Sequence, residues 1–129
     1  MTSKPRFSGD VLAAVRKSKG LRIRAGDGSH RFIGIWAVVV ENRVFVRSWS
    51  LKPGGWYRTF LEDPRGTVRI ADREIPVRAV ATRSERVKQA VDRAYLDTYN
   101  TKGAIKYARD LVGAKSRATT IELAPLTQG

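Results

Sequence analysis

RFIGIWAVVVENRVFVRSW, residues 31–49, reads as two strands joined by a tight connection. RFIGIWAVVV is apolar on both faces, the pattern of a strand in the middle of a sheet, and Gly34 within it marks a close approach of backbone or ligand. ENR, at 41–43, is short enough that VFVRSW should fold back on the first strand as a hairpin.

The flanking segments extend this pattern. Upstream, LRIRA (21–25) alternates Leu21 and Ile23 with Arg22 and Arg24, as a half-buried strand does, and GDGS (26–29) carries turn chemistry. Before them Ser8 is a good N-cap for a first helix, Phe7 and Leu12 stand at staple spacing, and Asp10 suits the first turn. Val11, Leu12 and Val15 form its apolar stripe, Arg16, Lys17 and Lys19 complement its C-terminus, and Gly20 stops it.

Downstream, SLKPGG (50–55) is a loop. In GGWYRTFLEDPRG (54–66), Trp56, Tyr57, Phe60 and Leu61 follow the helical period up to Pro64. TVRIADREIPVRAVA (67–81) is a second hairpin, with Val68 and Ile70 facing Ile75 and Val77 across Asp72 and Arg73. Pro76 limits its strand to an edge or itself to a position without a hydrogen bond. Ser84 caps a helix over 84–99 striped by Val87, Ala90, Val91, Ala94 and Tyr95; a second spans about 104–112, with Gly113 as stop. ATTIELAPL (118–126) closes the chain as a strand.

Hairpins dominate and no βαβ alternation occurs. The expected fold is therefore α+β, with about six antiparallel strands in one strongly curved sheet or small barrel. An N-terminal helix, a short helix after the third strand and two C-terminal helices decorate it. The 129 residues fit a single domain, 1–129, without repeats or linkers.

Composition narrows the chemistry. There is no cysteine, which removes disulfides, thiolate metal sites and thiol nucleophiles, and the single His30 makes no metal site alone. No apolar run approaches the ~20 residues of a membrane helix, and the first ten residues lack the apolar centre of a signal peptide, so a cytoplasmic protein is expected. Lys and Arg number 25 against 12 Asp and Glu, a formal charge of +13, which favours phosphorylated partners. The basic residues are scattered, with a local excess between Lys4 and Arg24.

Ser29 and His30 are chain neighbours on a strand and do not converge as a nucleophile and base must. Glu62, Asp63, Asp72, Glu74, Asp92 and Asp97 fall on turns or polar helix faces, and no phosphate-cradling Gly-x-x-x-x-Gly-Lys-Ser/Thr motif exists. Arg22, Arg24, Arg31 and Arg47 lie on consecutive strands or their ends, followed by Ser48; planar guanidiniums and a hydroxyl suit a phosphate. Trp36, Trp49, Trp56 and Tyr57 add flat apolar surface. Two readings stay open: a site for a flat phosphorylated ligand, or ordinary exposed arginines with Trp36 in the core.

RIRAGDGSHRFIGIWAVVVENRVFVRSW, then GGWYRTFLEDPRG, then IPVRAVA resembles the split β-barrel proteins that bind FMN or a deazaflavin. From about Phe7 to Pro125, including AYLDTYNTKGAIKY and TTIEL, the chain resembles a bacterial domain family of unknown function with the same succession. The likeness to deazaflavin-dependent nitroreductases is shorter: a turn with Ser followed by Arg, two strands and a Trp-Tyr helix. Asp27 and Thr59-Phe60 depart from that pattern.

The resemblance implies a cofactor phosphate near Ser29 and Arg31, with polar contacts from Arg47 and Ser48. Trp56, Tyr57 and Arg58 would open the helix beside the ring system, while Phe60 and Leu61 anchor it. It implies a homodimer with the ligand at the subunit boundary and flavin- or deazaflavin-dependent oxidoreductase chemistry, and from the composition no metal site is expected. Two alternatives stand beside it: a cofactor-free orphan barrel serving as a small-ligand or interaction module, and a nucleic-acid-binding module tracking single strands by charge and stacking.

Overall fold

Residues 6–18, 20–26, 31–49 and 55–126 are described by the structure, a computed structural model. The chain runs α1 (Gly9–Ser18), β1 (Leu21–Ala25), β2 (Ile33–Ile35), β3 (Ala37–Val40), β4 (Arg43–Val46) and α2 (Trp56–Glu62). It continues through β5 (Arg65–Ile70), β6 (Arg73–Ala81), α3 (Glu85–Thr98), α4 (Ile105–Leu111), α5 (Ala114–Arg117) and β7 (Ile121–Pro125). The strands form one antiparallel sheet in the order β2-β1-β5-β6-β7-β4-β3. The fold is α+β, as expected.

β2 and β3 stand at opposite ends of that order, yet Trp36 alone separates them in the chain. Residues 33–40 are thus one path that pairs first with β1, Gly34 opposite Arg22, and then with β4, Val38 opposite Phe45. This brings the two ends of the sheet together into a nearly closed barrel of seven strands. The expected mid-sheet strand is instead the seam, and its apolarity on both faces has a matching cause. Ile35, Ala37 and Val39 pack into the barrel, whereas Trp36, Val38 and Val40 pack against the helices.

A strand that changes partners leaves backbone groups over at the change. Tyr95 of α3 and Tyr99, the C-cap of that helix, take them: the Tyr95 hydroxyl donates to the Trp36 carbonyl at 2.9 Å, and the Tyr99 hydroxyl accepts from the Ala37 N–H at 3.1 Å and donates to its carbonyl at 2.8 Å. Burial pushes both phenol pKa values up, so the hydroxyls keep their donor protons.

Both hairpins turn on residue pairs with positive φ, Glu41–Asn42 (55°, 60°) and Ala71–Asp72 (50°, 64°), the I′ geometry that matches sheet twist. The second turn lies one residue earlier than its sequence implies, with Val68 opposite Ile75 and Ile70 opposite Arg73. β6 is central, between β5 and β7, so Pro76 is not on an edge. Its carbonyl, on the same side as its nitrogen, accepts from Leu126 just past the end of β7 at 3.0 Å. The missing N–H therefore removes no rung of the β5 ladder.

The helices cover different faces. Ser8 caps α1 through Val11 N–H at 3.3 Å, and Val11, Leu12 and Val15 join Phe7 in the barrel core. Ser84 caps α3 through Val87 N–H at 3.2 Å, and Val87, Val91 and Tyr95 lie over Val38 and Phe45 outside the barrel. Each such large apolar side chain contributes about 1.5–3 kcal/mol by burial. α4 falls within its expected range; α5 follows directly, because Gly113, read as a stop, is also the N-cap of a new turn. Among the described residues no helix is long and apolar enough to cross a membrane.

Candidate functional site

The helix α2 separates its aromatics by depth. Phe60, 3% exposed, enters the barrel core above Gly66, where an added Cβ would lie 2.8 Å from its ring and 2.7 Å from the Arg24 carbonyl. Trp56 and Tyr57 stay half-buried at the rim of that core, their rings perpendicular and 6.3 Å apart. Trp56 also meets Phe60 edge-on at 6.1 Å. Leu61 is 57% exposed, so the anchor is Phe60 without Leu61. Arg58 is exposed. Of the aromatics in this helix, one fills the core and two keep free surface.

Arg31 is exposed just before β2 and has no acidic partner among the described residues. Ser29, His30 and most of the GDGS and SLKPGG loops lie outside the described residues. The structure places Arg47 elsewhere. Val44 and Val46 point into the barrel, so the alternation turns Phe45 and Arg47 outward under the C-terminal helices. There the Arg47 guanidinium, wholly buried, donates to Thr120 Oγ1 at 2.8 Å, Asp92 at 2.6 Å, the Leu111 carbonyl at 2.9 Å and the Lys88 carbonyl at 3.1 Å.

Burial draws the Arg47 pKa down and the bond to Asp92 opposes that shift. Asp92 is held in turn by Arg117 at 3.1 Å, which also binds Glu85 at 2.9 Å. Ser48 is buried beside this network, its N–H donating to Thr119 Oγ1 at 2.8 Å. The expected phosphate contacts from Arg47 and Ser48 are thus replaced by internal ones: Arg47 ties β4 to α3, α4 and the start of β7. No sequence signal distinguishes this outcome from a ligand contact, because it depends on which strand face the helices cover.

The tryptophans also separate. Trp36 stacks on Tyr99, ring centroids 4.1 Å apart and nearly parallel, with Trp49 and Tyr107 edge-on to it at 5.5 and 6.3 Å. Trp36 and Tyr99 belong to the helical core, Trp49 and Tyr107 stay exposed at its edge, and Trp56 and Tyr57 belong to the barrel rim. Among the described residues no cluster of three or more His, Asp or Glu could hold a metal.

A groove of about 730 Å³ opens on the outer side of β6 and β7, beside the Glu41–Asn42 turn. Arg6, Arg43, Arg78, Val80, Glu122 and Leu126 line it, none of them expected from sequence. Arg43 is spent on Glu122 at 2.8 Å, whereas Arg6 and Arg78 have no acidic partner among the described residues. The groove's residues come from both ends of the chain and from two hairpins. The signal that could have found them is the outward parity of Arg78 and Val80 on β6.

Two solved structures resemble the chain in fold. One is a conserved hypothetical protein from Mycobacterium tuberculosis, 12% identical, with a TM-score of 0.56 over 95% of this chain and 82% of that one. The other is a FAD-binding protein from Mesorhizobium loti, 13% identical, with a TM-score of 0.57 over 95% of this chain and 91% of that one. No curated protein matches the sequence. Residues 11–123 match the family described as "Uncharacterized protein conserved in bacteria (DUF2255)", and since this is most of the chain, the protein belongs to that family.

Proposed function

We propose that the protein is a ligand-binding split barrel that takes a flavin-type cofactor, FMN or a deazaflavin, by its phosphate at the start of β2 and by its ring against α2. The observation that carries this reading is the division of labour in α2: Phe60 is enough to seat the helix, and Trp56 and Tyr57 are left half-exposed at the barrel rim. Arg31 and Arg58, exposed cations without acidic partners among the described residues, fit a phosphate; Ser29 completes the set. The name of the fold neighbour from Mesorhizobium loti, a FAD-binding protein, supports a flavin in a barrel of this kind.

A bound flavin would supply redox chemistry, and the chain would orient it and exclude water from the ring. Leu61, exposed on the same helix, is apolar surface that a second copy of the chain would cover, in keeping with a homodimer whose boundary borders the ligand. The test is the absorbance spectrum of the purified protein, followed by titration with FMN and with the deazaflavin coenzyme. A bound chromophore or saturable micromolar binding is expected; a colourless protein that binds neither would overturn the reading.

The groove beside β6 and β7 favours a second reading, a cofactor-free barrel serving as a small-ligand module. Its volume of about 730 Å³ is in the range of small-molecule sites, and Arg6 and Arg78, without acidic partners among the described residues, give it a preference for anions. Under this reading Arg78→Ala weakens ligand binding and Arg31→Ala does not.

A further inference from the structure

We propose that the outward face of β2, β1 and β5 binds a phosphoryl-bearing ligand, with Arg22, Arg24 and Arg69 as donors and the open floor over Gly34 as its seat. The strand register builds this place. Gly34, Arg22 and Arg69 form one row across the three strands. Arg24 and Thr67 form the next, and Phe32 continues the β2 register beside Arg24. These side chains point away from the barrel, because Leu21, Ile23, Val68 and Ile70 between them point in.

Phe32 carries two cations. The guanidinium carbon of Arg24 lies 4.5 Å from its ring centroid and that of Arg69 4.1 Å. Such stacking orients a guanidinium while leaving its N–H edge for another partner. In Arg24 that partner is missing: its Nε is buried with no acceptor among the described residues, a state native proteins rarely keep.

Charge points the same way. Arg22 stands directly opposite Arg69, and like charges across a strand pair repel. Glu74 pairs with Arg69 at 2.7 Å, and no acid among the described residues pairs with Arg22 or Arg24. An anion relieves the repulsion and satisfies the orphaned Nε together. Beside Arg22 there is room for it, since a Cβ added at Gly34 would meet nothing within 4 Å. A dianionic phosphoryl group matches several guanidiniums better than a single carboxylate does, and its oxygens accept bidentately. The site lies on the opposite face of β1 from the core that α2 enters, and its donors are not the Arg31, Arg58 and Ser29 of the flavin reading.

The test is calorimetric titration of the full-length protein with inorganic pyrophosphate at low salt. Saturable binding is expected, weakened about tenfold or more by Arg24→Gln. Arg93→Gln makes the same charge change on the exposed face of α3, away from the cluster, and should leave affinity within about twofold. Gly34→Leu keeps every charge but fills the floor, and should weaken binding as Arg24→Gln does. A single-stranded oligothymidylate, added as competitor, identifies the source of the phosphoryl group. Displacement of pyrophosphate that Arg24→Gln abolishes assigns the site to a nucleic-acid strand, and pyrophosphate binding without competition assigns it to a small phosphorylated molecule. No saturable binding, equal weakening by Arg93→Gln, or full affinity in Gly34→Leu overturns the proposal.

Discussion

Replacing Asp92 with Asn removes one charge and almost no volume from the network around Arg47. The wild-type carboxylate accepts from Arg47 at 2.6 Å and from Arg117 at 3.1 Å, and Arg47 is wholly enclosed while Asp92 is a quarter exposed. Stripping a buried ion pair of one partner costs about 3–5 kcal/mol, because the remaining charge stays buried without compensation. Two features reduce that figure here: the Asn carbonyl still accepts one hydrogen bond, and water reaches position 92. We therefore expect a loss of about 2–3 kcal/mol. For a domain of this size that lowers Tm by about 6–15 °C. Urea unfolding followed by circular dichroism measures it, with an unchanged m-value as evidence that the native state is intact. A loss below about 0.5 kcal/mol would show that Arg47 is not held by Asp92 and would return Arg47 to the list of residues free to meet a ligand.

Three further outcomes follow from the same geometry. Gly66→Ala drives a methyl group into the Arg24 carbonyl and the Phe60 ring, and should cost about 1–3 kcal/mol in chemical unfolding; neutrality would mean that α2 does not pack there. Tyr99→Phe strips the hydroxyl that meets both backbone groups of Ala37 at the barrel seam, and should cost about 1–3 kcal/mol, with faster hydrogen exchange at Ala37 as its local mark. The Arg117 and Arg86 guanidiniums hold the Glu85 and Glu41 carboxyls below their ordinary value, and the Arg65 N–H does so for Asp63. A lowered native pKa stabilises above the unfolded value, near 4.5 for Glu and 3.8 for Asp, and that stability is lost as pH falls through the native value. Thermal melts should therefore show Tm steady toward neutrality and falling below about pH 4.5, with a shallower fall in Glu85→Gln; an equal fall in both would remove Glu85 from the effect.

What was legible in the sequence was local. Ser8 and Ser84 announce helices because a cap acts on the next turn, and the stripes of Val11, Leu12 and Val15 or Val87, Val91 and Tyr95 need no partner to be seen. The alternation in LRIRA likewise gave β1 its inward and outward faces. What escaped depends on neighbours. Trp36 looks like one more residue in an apolar run, and only the pairing of β2 with β1 and of β3 with β4 makes it the seam. Ala71 carries no turn signal, and its positive φ is imposed by the register between Val68 and Ile75.

The candidate site divides along the same line. Trp56 and Tyr57 could be singled out as a pair, but their half-exposure was set by how deeply Phe60 enters against Gly66. Arg47 resembled Arg31 in sequence, each at the end of a strand. Their difference lies in Asp92, Thr120 and Leu111, which reach Arg47 from elements 45–73 residues away.

The central claim, that this barrel holds a flavin-type cofactor at the start of β2 and against α2, is tested most directly by FMN and deazaflavin titrations of three proteins side by side: wild type, Arg31→Ala and Arg78→Ala. The account predicts saturable binding to wild type, a loss of about 1.5–3 kcal/mol in Arg31→Ala as for a charge-assisted contact, and no change in Arg78→Ala. Binding that survives in Arg31→Ala and fails in Arg78→Ala would move the ligand to the groove on β6 and β7, and the absence of binding to all three would contradict the claim outright.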